Sequence, residues 1–196
     1  MKTIICCAML FICSTTLKAQ EKAEAKFRTF FDVGYFYSSW FLATNGGNYL
    51  SAGFGYKINK EFWLNLTIIK VTGTGEFEQS PFFINNKTIY NNTLIVPNFS
   101  KDWKISNKFY ISGAIGAALI FENVQVPFVK IDSSNNFTGI YFENQGESFN
   151  IGLFGEIVMK YEIIENLNLT LNTKSFLPMN LEPDSFMIGA GIEIKL

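Results

Sequence analysis

The sequence contains no histidine, few charged residues and no apolar run close to the length of a membrane helix. Without histidine, the chain cannot form a histidine-based catalytic triad, a histidine general base or a histidine-ligated metal site. Charged residues make up 17% of the chain, against about 25% in an ordinary soluble domain. The formal net charge is −1, so the basic excess typical of nucleic-acid binders is missing and we expect no nucleic-acid partner.

The three cysteines all lie near the amino terminus, in a segment with the features of an export signal. A basic start is followed by Ile4–Thr16, an uncharged and mostly apolar run that is too short to cross a bilayer. We predict a cleaved signal peptide at residues 1–19 and a short polar leader at residues 20–26. A lipoprotein signal is disfavoured because a bulky isoleucine precedes Cys13. The mature chain then has neither disulfides nor cysteine metal ligands.

Apolar and polar residues alternate with period two through most of the remaining chain. In Tyr49–Asn59, for example, apolar residues at even positions alternate with serine, glycine and lysine at odd positions. This alternation is typical of strands that place one face in an apolar environment, and it predicts an all-β domain. Eight strands are predicted, at Phe27–Ser39, Tyr49–Asn59, Phe62–Val71, Thr88–Trp103, Lys108–Glu122, Ser148–Tyr161, Leu167–Phe176 and Ser185–Leu196.

The connections between these strands alternate between short and long. This pattern is typical of an up-and-down barrel in an outer membrane, whereas a Greek-key sandwich has no reason to show it. We therefore predict an eight-stranded antiparallel up-and-down transmembrane β-barrel over residues 27–196. The short connections are residues 60–61, 104–107 and 162–166, and the long ones are residues 40–48, 72–87, 123–147 and 177–184.

Alternation alone does not give the direction of the apolar face, because a soluble carrier barrel of the lipocalin type shows the same period. Two features favour an exterior in contact with lipid. The polar face is rich in glycine, serine and asparagine, which suit a narrow lumen. Aromatic residues gather near strand ends, as in the interfacial girdles of membrane barrels. They are Phe27, Phe62, Trp63, Trp103, Phe109, Tyr110 and Tyr161 on the turn side, and Tyr37, Trp40, Tyr49, Phe121, Phe149, Phe176 and Phe186 on the loop side.

Three stretches carry a resemblance to a known family: Leu94–Pro97, Phe109–Gly116 and the glycine-rich final strand, which ends in alternating hydrophobic residues at 191–196. On these, residues 27–196 resemble the outer membrane protein β-barrel domain family, the small porin-like barrels of Gram-negative bacteria. The resemblance implies a bacterial outer-membrane location, contact with membrane lipid and lipopolysaccharide, and recognition of the final strand by the barrel-assembly machinery. The functions of the family are mixed. Pro97 cannot donate to a strand ladder and predicts a bulge or a strand end.

Several charged residues share the polar face of the predicted strands. We predict that they form an ion-pair and hydrogen-bond network that fills the lumen, since unpaired charges would be costly to bury there. A serine–lysine or paired-carboxylate catalytic site is the alternative. We expect a non-enzymatic protein with no catalytic residue, no cofactor and no metal. The charged residues are Asp32, Lys57, Glu156, Lys174 and Glu193.

Two of the predicted long loops are candidates for contacts with a surface protein or glycan. Thr72–Lys87 and Asn123–Glu147 combine asparagine, serine and glycine with aromatic residues. The stretches Val124–Lys130 and Gly139–Glu143 fit equally well as strands that continue above the membrane. The aromatic candidates for partner contacts are Phe77, Phe82, Phe83, Phe137, Tyr141 and Phe142.

The sequence therefore favours an integral outer-membrane barrel with a structural role, or a surface-binding or adhesive role through its extracellular loops. Two alternatives stay open at this point. One is a soluble exported carrier of a lipophilic ligand, and the other is a narrow passive channel.

Overall fold

A computed structural model describes residues 25–38, 45–76, 87–131, 133, 137–178 and 185–196. Within these ranges, no helix has the length and hydrophobicity needed to cross a bilayer. The predicted signal peptide lies outside the described residues. The strands are β1 Phe27–Ser38, β2 Asn45–Lys57, β3 Phe62–Glu76, β4 Lys87–Lys104, β5 Phe109–Ile131, β6 Phe137–Ile164, β7 Leu167–Pro178 and β8 Ser185–Lys195.

The eight strands form one closed antiparallel barrel in which each strand pairs with its neighbours in the sequence. Backbone hydrogen bonds close the barrel: the Phe27 amide donates to the Leu196 carbonyl at 3.1 Å, and the Leu196 amide donates back at 2.8 Å. The stagger of the barrel follows from the paired residues. Followed from Phe31 through β2, β3, β4 and β5, the pairing reaches Ile151 on β6. Followed the other way through β8 and β7, it reaches Tyr161 on β6, so the two routes differ by ten residues. Such a stagger accompanies strand tilt, and eight strands then enclose little more than side chains. The predicted fold is confirmed.

Three short turns join the strands at one end of the barrel, at residues 58–61, 105–108 and 165–166. In the first, the Asn59 side chain accepts hydrogen bonds from the amides of Glu61 and Phe62, both at 3.0 Å. In the last, Asn166 has a φ of 69°, a left-handed conformation that asparagine tolerates. The predicted short connections between strands 2 and 3, 4 and 5, and 6 and 7 are confirmed.

At the opposite end, β5 and β6 extend far beyond their predicted bounds. The prediction of a long loop over residues 123–147 is wrong for the described backbone, because the pairing continues to Lys130 opposite Gly139 and Ile131 opposite Phe137. The register shifts twice along this extension, between Asn123 and Gln125 and again next to Ile131. The extension is therefore a two-stranded hairpin, in agreement with the alternative interpretation of continued strands.

The outer face of the barrel is apolar and exposed. Leucine, isoleucine, valine and aromatic side chains point outward on all eight strands, and their hydrocarbon is not covered by another part of the described chain. An exposed apolar surface of this extent is far beyond the patches that soluble monomers show. It fits a barrel whose solvent is lipid. Examples along the middle of the strands are Leu50, Leu64, Leu66, Ile68, Ile115, Leu153, Ile157, Leu171 and Ile188.

Aromatic residues do mark both ends of this apolar band, although some predicted members face inward. On the outer face, the Phe27 ring stacks on Phe54 at 5.4 Å near the turns, and Phe121 lies 5.3 Å from Phe149 near the hairpin. Four assignments to the girdles are wrong, because the period of two turns these side chains toward the lumen. Tyr49, Trp63 and Phe176 are buried there, and Tyr110 contacts Glu162 and Lys195 at its turn end. Trp40 lies outside the described residues.

Pro97 lies inside β4, so the expectation of a bulge or strand end there is wrong. It pairs with Leu66 on β3. On the other side, the β4–β5 pairing passes from Ile95 opposite Leu119 to Asn98 opposite Gly116 without a register shift. Pro97 therefore interrupts one side of the ladder locally, which is tolerated because the pairing on both sides of it holds the register.

A charge at the middle of the apolar band tests which solvent covers the band. Leu66 is 51% exposed near the centre of the outward row on β3. We expect Leu66→Arg to lower the free energy of unfolding in lipid vesicles by about 2–4 kcal/mol, because the arginine must enter hydrocarbon. The measurement is a urea titration of the folded protein in vesicles.

The control for this substitution is Ile105→Arg. Ile105 is 59% exposed and lies in the turn that follows β4, at the edge of the band. The same change there should cost about 0–1 kcal/mol. Equal costs at the two positions would contradict a lipid-covered band.

Candidate functional site

The lumen near the turn end contains a cluster of four charges, of which three are buried and Asp102 is 12% exposed. The Arg28 Nη1 atom lies 3.2 Å from Glu193 Oε2 and 3.4 Å from Asp102 Oδ1. The Lys160 Nζ atom lies 2.6 Å from the same Glu193 oxygen and 3.1 Å from Asp102 Oδ1. Two cations thus alternate with two anions from β1, β4, β6 and β8. We call these four residues the lower cluster.

Polar neighbours form further hydrogen bonds with the charged groups of the lower cluster. Asn65 Oδ1 accepts from Arg28 Nε at 3.1 Å and from Arg28 Nη2 at 2.8 Å. The hydroxyl of Ser112 donates to Asp102, and Asn168 Nδ2 donates to Glu193 at 2.9 Å. These bonds offset part of the large cost of removing the charges from water.

A second charged group lies nearer the middle of the lumen. The Lys174 Nζ atom bridges Asp32 Oδ1 at 2.7 Å and Glu156 Oε1 at 2.9 Å, and its side chain is 0% exposed. The Tyr49 ring lies 5.3 Å from the ammonium, and the Tyr49 hydroxyl donates to Asn172 at 2.6 Å. We call Asp32, Glu156 and Lys174 the middle bridge.

The structure places the five predicted lumen residues in different surroundings. It brings Asp32, Glu156 and Lys174 together in the middle bridge, and it places Glu193 in the lower cluster. Lys57 lies at the turn end of β2, with its ammonium 5.8 Å from the centroid of the Trp63 ring. Arg28, Asp102 and Lys160 were not among the predicted lumen residues, although the period of two places them on the inward face. Each of them lies an even number of residues from an inward polar side chain of its own strand.

Above the middle bridge, apolar side chains fill the centre of the lumen, and buried polar side chains return toward the hairpin end at Asn92, Glu122 and Ser185. Side chains from all eight strands meet at the centre in one buried layer, which we call the plug. A polar lumen was expected, so this layer is a finding of the structure. The plug consists of Phe36, Tyr49, Ile69, Val71, Leu94, Val96, Ala118, Ile120, Phe154, Phe176 and Met187.

The filled lumen has little room for chemistry. A cavity of about 30 Å³ separates the lower cluster from the middle bridge, with Asp32, Glu156, Lys160 and Glu193 among its lining residues. This is space for a water molecule and far below the 300–1,000 Å³ of ligand pockets. Nor do the described residues group three or more carboxylates or thiols in a way that would hold a metal ion. The lumen is thus suited to bracing the barrel.

Three of the six predicted partner contacts belong to the β5–β6 hairpin. The other three, Phe77, Phe82 and Phe83, fall outside the described residues. The hairpin members lie on β6, where the backbone of Phe137 pairs with Ile131, that of Tyr141 with Phe128 and that of Phe142 with Pro127.

The hairpin leaves one long strand edge open. The pairing of β6 with β7 starts at Gly152, opposite Pro178. Within the described parts of the chain, no strand pairs with β6 on that side over Phe137–Ile151. On the other side of the hairpin, β4 accompanies β5 only as far as Gln125. Among the described strands, none covers the outer edge of β6 along this stretch.

Removal of Lys174 tests the middle bridge. We expect Lys174→Met to destabilise the barrel by about 3–5 kcal/mol, because two buried carboxylates lose their only cation in the bridge. The triple variant Asp32→Asn, Glu156→Gln, Lys174→Met should recover most of this loss. Urea unfolding in vesicles measures both.

Glu61→Gln provides a control, since Glu61 pairs with Lys101 at the surface, 3.1 Å apart, and the change leaves the ammonium in place. An exposed pair contributes about 0–1 kcal/mol. If Lys174→Met cost no more than Glu61→Gln, the middle bridge would not contribute to stability.

No protein-family model matches the sequence, and no curated protein shows significant similarity to it. Solved structures do match the fold. The Neisserial surface protein A superposes with a TM-score of 0.58 at 16% identity, over 89% of this chain and 100% of the other. The outer membrane protein OprG of Pseudomonas aeruginosa gives 0.55 at 11% identity, over 90% and 100%. The N-terminal β-barrel domain of OprF from the same organism gives 0.52 at 12% identity, over 89% and 100%.

These similarities, together with the closed ladder and the apolar exterior, lead to one conclusion about architecture. The chain has the fold of the small eight-stranded outer-membrane β-barrels.

Proposed function

We propose that the protein is a non-enzymatic integral outer-membrane barrel that binds a partner at the cell surface through its β5–β6 hairpin. The apolar outer face supports the membrane location, in which the barrel contacts phospholipid and lipopolysaccharide. The last strand, β8, closes the barrel against β1 and is the segment that the barrel-assembly machinery would recognise. As in other outer-membrane barrels, the short turns would face the periplasm and the hairpin would face the cell exterior.

The open edge of β6 is the observation that supports binding. An extended peptide can add a strand to such an edge, because backbone amides and carbonyls that no neighbouring strand uses can bind it. Over Phe137–Ile151 the edge is as long as the strands that cross the membrane. The hairpin therefore offers a surface for a partner with an extended segment.

The composition of the two edges differs in a way that supports β6 as the binding edge. Residues 126–131 of β5 include Pro127 and Lys130, which are common protections against strand addition. Residues 137–151 of β6 contain neither proline nor a basic residue, but they include Glu143 and Glu147. We infer that the partner segment is extended and basic.

The other two functions considered from the sequence receive no support. A carrier needs an apolar cavity of several hundred Å³, whereas the plug fills the apolar part of the lumen. The plug, the middle bridge and the lower cluster also occupy the path that a channel would need.

The membrane location predicts heat-modifiable behaviour. We expect the protein in the outer-membrane fraction of the native cells, and a shift in gel migration between unboiled and boiled samples, because a closed barrel resists detergent until it is heated. A single band from a soluble periplasmic fraction would contradict the location.

Strand addition predicts binding of an alternating lysine–valine peptide long enough to span Phe137–Ile151. In nonionic detergent micelles, we expect this peptide to bind the folded protein, and the double substitution Glu143→Lys, Glu147→Lys to weaken binding about tenfold. Two lost ion pairs of about 0.7 kcal/mol each correspond to that factor. Isothermal titration calorimetry measures the affinities.

Two controls separate strand addition from general attraction between charges. The substitutions Glu61→Lys and Glu165→Lys change the same charge at the opposite end of the barrel and should leave binding unchanged. A peptide with proline at alternate positions lacks half of the amide donors and should not bind. Equal binding of both peptides would refute strand addition.

A further inference from the structure

A groove crosses the outer face of the barrel from β3 to β8. Its volume is about 660 Å³, within the range of ligand sites, and its lining is almost entirely apolar. The floor consists of small residues, namely Gly113 on β5, Gly155 on β6 and Thr173 and Ser175 on β7. Elsewhere the outward positions of the barrel carry mostly large apolar side chains.

The strand register brings these small residues together. Gly155 pairs with Ile115 on one side and Ser175 on the other, while Gly113 pairs with Ile157. A Cβ atom on Gly155 would meet nothing within 4 Å, so the space above it is open. A Cβ atom on Gly113 would lie 3.1 Å from the Trp103 ring, which leans over the floor as one wall.

The turn end of the groove carries a cation. Lys101 lines the groove with an ammonium that lies 5.2 Å from the centroid of the Phe62 ring and 5.6 Å from that of Trp103. Glu61 is 3.1 Å from the ammonium, and the Lys101 side chain is 32% exposed. An exposed ammonium with one carboxylate partner can also bind a second anion, since it has three donors.

We propose that the groove binds one glycerophospholipid, with an acyl chain over Gly113 and Gly155 and the phosphate at Lys101. The groove and its end have the two chemistries of such a molecule: an apolar channel, and a cation placed where headgroups begin. A void on a lipid-covered surface is filled by hydrocarbon, because an empty one forfeits dispersion contacts. The proposal rests on the membrane location but not on partner binding by the hairpin.

Native mass spectrometry of the folded protein in nonionic detergent tests the proposal with two probes. The probes are palmitoyl-oleoyl phosphatidylglycerol and the diacylglycerol with the same chains, which lacks the phosphate. We expect one tightly bound phospholipid per barrel. Lys101→Gln should lower the phospholipid affinity about tenfold, as expected for the loss of a charge-assisted bond, and leave that of the diacylglycerol unchanged. Gly155→Phe fills the groove and should lower both affinities.

Matched controls lie outside the groove. Lys70 is also on the outer face, where its Nζ atom donates to Thr93 Oγ1 at 3.0 Å, and Lys70→Gln should have no effect. Ala52 is an exposed outward position on β2, and Ala52→Phe adds the same ring there without effect. Heat-modifiable migration of each variant confirms that it folds.

Three results would overturn the proposal. The first is equal lipid binding by wild type and Gly155→Phe. The second is an equal loss of affinity in Lys101→Gln and Lys70→Gln. The third is a wild-type dimer that Gly155→Phe abolishes, which would assign the groove to a second copy of the chain. Failure of the membrane location itself would appear separately, as a soluble protein without heat-modifiable migration.

Discussion

The hydrogen bonding between β1 and β8 is the constraint on which the rest of the structure depends. Once these strands pair, every strand within the barrel has a neighbour on both sides, so its backbone groups need no water. Closure with a stagger of ten residues also fixes the width of the interior. The outward side chains can then be apolar, and the inward ones must fill the space that remains.

The lumen is filled in layers that follow from this geometry. Near the turns, Arg28, Asp102, Lys160 and Glu193 pair their charges and share polar neighbours, and Lys174 joins two carboxylates above them. Higher up, the plug replaces charge with hydrocarbon. The packed lumen stabilises the part of the barrel that lies in the membrane, whereas the accessible backbone lies outside the membrane, on the hairpin. The features that support a function therefore lie at the surface.

The period of two predicted most of the fold, because a membrane barrel must present one apolar face along each crossing strand. The same period placed Asp32, Glu156 and Lys174 on the polar face, but it could not show that they meet, since that depends on the stagger. Tyr49, Trp63 and Phe176 were assigned by their position near strand ends, although their parity pointed inward. For the hairpin, the sequence left a loop and continued strands equally open, because strands above the membrane have no lipid face and their sequence need not alternate.

The plug has a consequence for the order of assembly. Each of the eight strands contributes at least one side chain to it, from Phe36 on β1 to Met187 on β8. Neighbours on adjacent strands, such as Ile69 and Leu94, can already pack in an open sheet. Contacts across the lumen form only when the first and last strands meet. Closure therefore completes the plug as well as the hydrogen-bond ladder, and the two contributions to stability are coupled.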